Sequence, residues 1–145
     1  MITIRAVTRR DRGAIRRLEC ACFGFERFFF GLWPRAGRRE TNAWIAESDG
    51  NPTGYLIAYY RNLRGKPVMY VGGVGVLPQY RKQGIASQLM GAVLAQYPAL
   101  WLHVRAKNGA ATQLYLKLGM LVNERLARFY SNNEDALVMQ TPEVE

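Results

Sequence analysis

The chain has a single histidine and only two cysteines among its 145 residues. With only one histidine, a zinc cluster of the usual four-ligand kind cannot be assembled. Cys20 and Cys22 lie two positions apart. On a helix their side chains diverge by about 200°, too far to bridge. They read as small, semi-buried apolar residues. No base stands beside them in sequence, so a covalent thiol intermediate is not expected. No apolar run approaches the ~18–20 residues of a membrane span. Residues 1–5 alternate like a strand and lack signal-peptide architecture, so a cytoplasmic location is the expectation. Glycines are present, but neither as Gly-x-Gly-x-x-Gly nor ahead of a Lys-Ser or Lys-Thr pair, which excludes the dinucleotide fold and the triphosphate P-loop.

What is there describes one globular domain over residues 1–145, with an apolar fraction of 49% supporting a real core. The net charge is +9, concentrated in residues 9–17 and 35–39, and such a field attracts polyanions such as coenzyme A, RNA or a ribosomal surface. Basic and aromatic residues are not interleaved as in proteins that stack single-stranded bases, so nucleic acid is not the expected main ligand.

Periodicity and turn chemistry give the elements. Residues 2–6 alternate as a first strand. Thr8 caps a helix with Ile15, Leu18 and Phe23 inside and Arg12, Arg16 and Arg17 outside, ending at Gly24. An aromatic cluster follows at residues 25–33, read as core rather than as the lining of a substrate groove, and then a basic loop at 35–40. Residues 42–47 and 53–60 are strands around Asp49-Gly50, a strong hairpin signal. A second turn at 62–65 leads into a buried central strand, 68–77, which Pro78 ends. Ile85, Leu89, Val93 and Leu94 mark the next helix. Residues 100–104 form a short strand. Asn108 caps a helix stopped by Gly119, two strands span 121–130 and 136–140, and the tail 141–145 is expected to fray. The resulting order, β-α-α-β-β-β-α-β-α-β-β, is an α/β domain on a mixed sheet flanked by helices, its parallel piece formed by the central strand, the crossover helix and the Trp101 strand.

The rest is organised around residues 74–86. A strand ending at Val74-Gly75-Val76, a basic loop Arg81-Lys82-Gln83-Gly84 and a helix opening at Ile85-Ala86 together make an anion site, where free amides and the helix dipole favour negative charge. Three glycines in one strand, Gly72, Gly73 and Gly75, suggest an irregularity or a close backbone approach.

Arg81-x-x-Gly84-x-Ala86 resembles the Arg/Gln-x-x-Gly-x-Gly/Ala signature of the GNAT superfamily of acyl-CoA-dependent N-acetyltransferases. Asn108-x-x-Ala111-x-x-x-Tyr115-x-x-x-Gly119-Met120 looks like that family's second signature. Leu100-Trp101-Leu102-x-Val104-Arg105, Phe129-Tyr130 and Glu134-Asp135-Ala136-Leu137-x-Met139 are similar to the branch that acetylates the N-terminal alanine of ribosomal proteins. The resemblance implies acetyl-CoA as co-substrate, with no metal. Its pyrophosphate would rest on the amides of Arg81, Lys82, Gln83, Gly84, Ile85 and Ala86, and its pantetheine on Val74, Gly75 and Val76. Asn108 would hydrogen-bond coenzyme A, Tyr115 would be the general acid, and Tyr130 would hold the acceptor backbone. The chain departs from the branch at one place: His103 stands where a glutamate is typical. An imidazole of ordinary pKa near 6.5 can take that base role at neutral pH.

The chemistry fits these residue types. An amine must lose a proton before attacking a thioester, the oxyanion needs a donor, and the leaving thiolate needs an acid. The expected function is direct acetyl transfer in a ternary complex to a protein or peptide N-terminal α-amine, ribosomal proteins included, with no membrane partner. The alternatives are a small-molecule amine acetyltransferase and a non-catalytic acyl-CoA-binding regulatory module. A basic RNA-binding protein is a weaker third.

Overall fold

Two Asp/Arg-Gly corners, Asp49-Gly50 and Arg64-Gly65, take left-handed backbone angles at both residues (φ 51°, 83° and 50°, 85°), which is the geometry that folds adjacent strands into tight hairpins. They join β2 (Thr41–Ser48), β3 (Asn51–Leu63) and β4 (Lys66–Val76) into an antiparallel meander. The computed structural model describes residues 1–23 and 41–142. The Phe23 side chain, the Gly24 break, the aromatic cluster at 25–33, any second helix there and the basic loop at 35–40 lie outside them.

β1 (Ile2–Ala6) pairs antiparallel with β2 at one edge. A 3-10 turn (Arg9–Asp11) leads into α1 (Arg12–Phe23). Thr8 does open this segment, with its amide and hydroxyl on the Asp11 carboxylate at 2.8 and 3.2 Å. Arg5 grips the same carboxylate through two nitrogens at 2.7 and 2.8 Å, which holds the Asp11 carboxyl well below its usual range. After β4 come α2 (Ile85–Gln96), β5 (Leu100–Arg105), α3 (Gly109–Lys117), β6 (Leu121–Leu126) and β7 (Ala136–Gln140). The sheet order is β1-β2-β3-β4-β5-β7-β6, and β4 and β5 are parallel, as the crossover through α2 requires.

The core lies on both faces of this sheet. Leu56, Met69, Leu100, Leu102 and Met139 pack with Ile85, Leu89, Met90 and Val93 of α2 and with Tyr115 of α3 on one face. Ile15 and Leu18 of α1 pack with Ile45, Tyr55 and Ile57 on the other. Further along that second face, Tyr70 and Trp101 pack with Leu63, Val68 and Val138.

Two strand ends and the start of the tail differ from the sequence expectation. β3 runs to Leu63 because its partner continues through the second hairpin, so cross-strand pairing outlasts the apolar run. The expected strand 121–130 stops at Leu126, because Arg128 is left-handed (φ 52°) and gives its amide to Asp135 at 3.0 Å. The tail is not frayed at its start. Thr141 is buried, its amide donates to the Leu100 carbonyl at 3.0 Å, and its hydroxyl accepts from the Leu100 amide at 3.1 Å.

Candidate active site

The pairing of β4 with β5 lasts for only three residues, ending at Val71 opposite Leu102. Beyond that point the two strands part. One cause is visible on the opposite edge of β4. Ile57 pairs with Gly73 and Ala58 with Val71, so Gly72 is an extra, bulged residue that bends and twists the strand. Past the bulge, the β4 edge that faces β5 has no strand partner and its polar groups line an open cleft.

Gly75 has another role than the close ligand approach its glycine suggested. A Cβ there would sit 2.8 Å from Tyr55 Cε1 and 3.0 Å from Cys22 Sγ. The glycine lets α1 and the Tyr55 ring press against the strand from behind. Gly72 supplies the irregularity, and Gly75 the packing.

The loop after β4 forms the first end of the cleft. Pro78–Tyr80 is a 3-10 turn, and Lys82 and Gly84 are both left-handed (φ 63° and 80°). Gly84 is the N-cap of α2, and the first helical bond runs from the Gln88 amide to its carbonyl at 3.0 Å. The amides before Gln88 therefore have no partner within the helix and remain available to an anion. Arg81 Nε donates to the Val76 carbonyl at 3.1 Å, which ties the loop to the strand. Arg81, Lys82, Gly84, Ile85, Ala86 and Ser87 line a cavity of about 640 Å³ together with Val74, Gly75 and Val76. Gln83, expected among the binding residues, does not line it.

A second cavity of about 560 Å³ continues from the first, with Cys22, Val74, Asn108, Ala111 and Tyr115 belonging to both. Its other walls include Gly72, Gly73, His103, Arg105, Tyr130 and Ser131. The cleft thus runs from the phosphate-type loop past Tyr115 to a His103–Tyr130 end. Tyr115 is buried at the junction, and burial, with a smaller push from the Tyr130 phenol, raises its pKa to about 12. It keeps its proton throughout the neutral range. Asn108 Oδ1 accepts from the Ala111 amide at 3.1 Å, so its capping role is real, and the residue also lines both cavities.

His103 sits among rings. Its Nδ1 is 2.7 Å from the Tyr70 hydroxyl, Phe129 stacks on it at 4.4 Å, and Trp101 meets it edge-on at 5.3 Å. This burial, aided by the nearby Arg61 guanidinium, lowers its pKa to about 4, well below the ordinary value the sequence reading used. Tyr70 rises to about 12, chiefly through burial. Tyr130 lies in the loop after β6 rather than on the strand itself, with the Arg105 guanidinium 3.9 Å above its ring. Arg105 in turn bonds Glu134 and Asn132, both at 3.1 Å. Asp135 holds Arg125 and the Arg128 amide, so Glu134 and Asp135 build the turn, as expected. Sequence reasoning gave no site role to Cys22, Ser87, Tyr70 or Arg61, and quoted Phe129 only within a motif. Only strand alternation (Tyr70 and His103 on one face) would have pointed to any of them.

The folded pKa of His103, about 4, lies below its unfolded value of 6.5. Its contribution to stability is therefore complete above about pH 6.5 and is lost as pH falls toward 4. Thermal melts should show the wild-type Tm dropping more steeply over this window than that of His103→Gln. Equal slopes would contradict the burial of a neutral imidazole.

The site is thus a bulged central strand splayed from its parallel neighbour, with a loop-to-helix anion cradle at one end of the gap. The chain belongs to the acetyltransferase (GNAT) family, whose match spans residues 12–120. It is an acetyl-CoA-dependent N-acetyltransferase. It is 34% identical over 117 residues to an N-alpha-acetyltransferase of Sulfurisphaera tokodaii, a match covering 71% of this chain and 70% of that one. It is also 28% identical to the N-terminal acetyltransferase A complex catalytic subunit NAA10 of Arabidopsis thaliana, over 97% of this chain and 77% of that one. In fold it superposes on the ribosomal-protein-S18-alanine N-acetyltransferase from Escherichia coli with a TM-score of 0.85 and 23% identity, covering 100% of this chain and 96% of that one. Arabidopsis thaliana NAA60 in complex with acetyl-CoA superposes with a TM-score of 0.82 and 21% identity, covering 97% of each chain. Among the described residues there is no cluster of three or more His, Cys, Asp or Glu side chains able to hold a metal, and no helix long and apolar enough to cross a membrane.

Proposed function

We propose that this enzyme acetylates the α-amine of a protein or peptide N-terminus by direct attack, with donor and acceptor bound together. The observation that carries the reading is the single continuous cleft with Tyr115 at its middle. One end offers unpaired helix amides to an anion, and the other offers aromatic and backbone-binding groups to an extended chain. The named N-alpha-acetyltransferase relatives support the choice of acceptor.

Bound acetyl-CoA supplies an activated acetyl thioester. The amides of Gly84, Ile85, Ala86 and Ser87 hold its pyrophosphate, with Arg81 and Lys82 adding positive charge. The free β4 edge from Val74 to Val76 holds pantetheine and offers an amide to the carbonyl oxygen. Tyr115, protonated at every working pH, would donate its hydroxyl to the departing sulfur. With a pKa of about 12, it acts as a strong hydrogen-bond donor at that atom more than as a ready proton source.

On the acceptor side, Tyr130 and Ser131 hold the entering backbone. His103 is neutral at pH 7 and has a lone pair to offer. With Nδ1–H donating to the Tyr70 hydroxyl, the Nε2 lone pair is free to accept the proton that the attacking amine gives up. Among the described residues, none that lines either cavity is a carboxylate, so these walls give an ammonium no counter-charge and suit the free amine. The substitution of histidine for the branch's glutamate then makes physical sense.

Initial rates over a grid of acetyl-CoA and peptide concentrations test the direct route. Intersecting double-reciprocal lines are expected. Parallel lines would mean that acetyl rests on the enzyme between substrates.

A further inference from the structure

The first helix and the turn before it carry charge that the active site does not use. Arg9, Arg10, Arg12, Arg16 and Arg17 are all exposed. The two acidic residues in the same stretch, Asp11 and Glu19, are 8% and 5% exposed, so their carboxylates lie beneath the surface that Arg9, Arg10, Arg12 and Arg17 form. Asp11 is moreover occupied by Arg5. Among the described residues, no carboxylate lies within ion-pair distance of Arg9, Arg10, Arg12 or Arg17. The result is a one-signed face on an element whose other side is anchored by Ile15 and Leu18.

The composition of this face narrows its partner. Every cation on it is arginine, whose planar fork matches phosphate oxygens in pairs where lysine offers a point charge. None of the exposed large apolar side chains among the described residues belongs to it, which argues against insertion into a lipid surface. No aromatic residue occurs between Thr8 and Ala21, so unstacked bases find no platform. Arg9 and Arg12, three residues apart, and Arg10 and Arg17, two turns apart, form two neighbouring lines along one side of this segment, and such a fixed array of cations suits a rigid periodic polyanion.

We propose that the outer arginine face of α1 is a docking surface for the phosphate backbone of double-helical nucleic acid, separate from the acetyl-transfer cleft. Contacts to phosphates alone are independent of sequence. The face therefore serves to place the enzyme on a nucleic-acid-containing assembly while the cleft, reached by the far end of the same helix through Cys22, works on its acceptor.

The test is fluorescence anisotropy of the full chain with labelled 16-base-pair RNA and DNA duplexes, the matching single strands, a poly-glutamate peptide and anionic lipid vesicles. Both duplexes should bind, and log K should fall against log salt with a slope of about −3 to −4, as four phosphate contacts imply. The Arg9→Gln/Arg12→Gln variant should lose about two units of slope and at least about tenfold in affinity at low salt. Its acetylation of a short peptide should be unchanged. The charge-matched Lys66→Gln/Lys117→Gln variant should bind the duplexes like wild type. Equal losses in the two variants would reduce the effect to net charge and overturn the site. Tighter binding to single strands, poly-glutamate or vesicles than to the duplexes would overturn the partner.

Discussion

Replacing Tyr115 with phenylalanine should lower kcat by about 100-fold, the low end of what a positioned acid contributes, while acetyl-CoA binds as before. The argument is geometric. Tyr115 belongs to both halves of the cleft, so its phenol can meet donor and acceptor at once, whereas the other titratable group shared by both halves, the Cys22 thiol, packs close to Gly75. Its ring is packed into the core with Leu89, Leu102 and Met120, and phenylalanine keeps that packing. Only the hydroxyl is removed, so a fall in kcat with unchanged Tm and unchanged acetyl-CoA affinity isolates its chemistry. The phenol's high pKa adds a second expectation. No alkaline fall in rate from Tyr115 should appear below about pH 11, because its proton is retained until near 12. Unchanged turnover in the variant would remove Tyr115 from the reaction.

Aspartate at position 84 should raise the KM for acetyl-CoA by at least about 100-fold, or about 2.7 kcal/mol of binding. Two effects combine. A non-glycine residue at φ 80° costs about 1–2 kcal/mol of backbone strain. The new carboxylate also brings negative charge to the amides that would otherwise meet a phosphate. Alanine separates these effects. A Cβ at Gly84 meets nothing within 4 Å, so Gly84→Ala carries the strain alone and should raise KM by about tenfold or less. If Gly84→Asp binds acetyl-CoA as wild type does, the phosphate-type loop is not where the donor sits.

Most of the fold was legible because local chemistry dictated it. Asp49-Gly50, Gly84, Asn108 and Gly119 each mark a boundary that the structure places where the sequence did. The errors arose where distant contacts decide. Tyr130 follows apolar, strand-like residues, yet Asp135 captures the Arg128 amide and ends the strand early. Thr141 looked like the start of a loose tail, but it bonds Leu100, forty-one residues away. The site was legible as a loop and a tyrosine, because those rest on contiguous motifs. It was not legible as a continuous cleft. The splay depends on one bulged glycine, Gly72, and three glycines within four residues gave no sign of which one bulges and which one packs. Nor does sequence report burial around a lone histidine, which is what moves His103 from an ordinary base to one with a pKa of about 4.

The choice of acceptor is best tested by offering acetyl-CoA and the enzyme one peptide in two forms, detected by mass. One form has a free N-terminus and its lysines blocked. The other has a blocked N-terminus and free lysines, and polyamines and aminoglycosides are run alongside. The account predicts one added acetyl on the free α-amine, with the blocked form and the small amines at least about 100-fold slower, a discrimination of ~2.7 kcal/mol. Acetyl placed on lysine or on the small amines at a comparable rate would contradict the assignment of the His103–Tyr130 end to a protein N-terminus, while leaving the donor site in place.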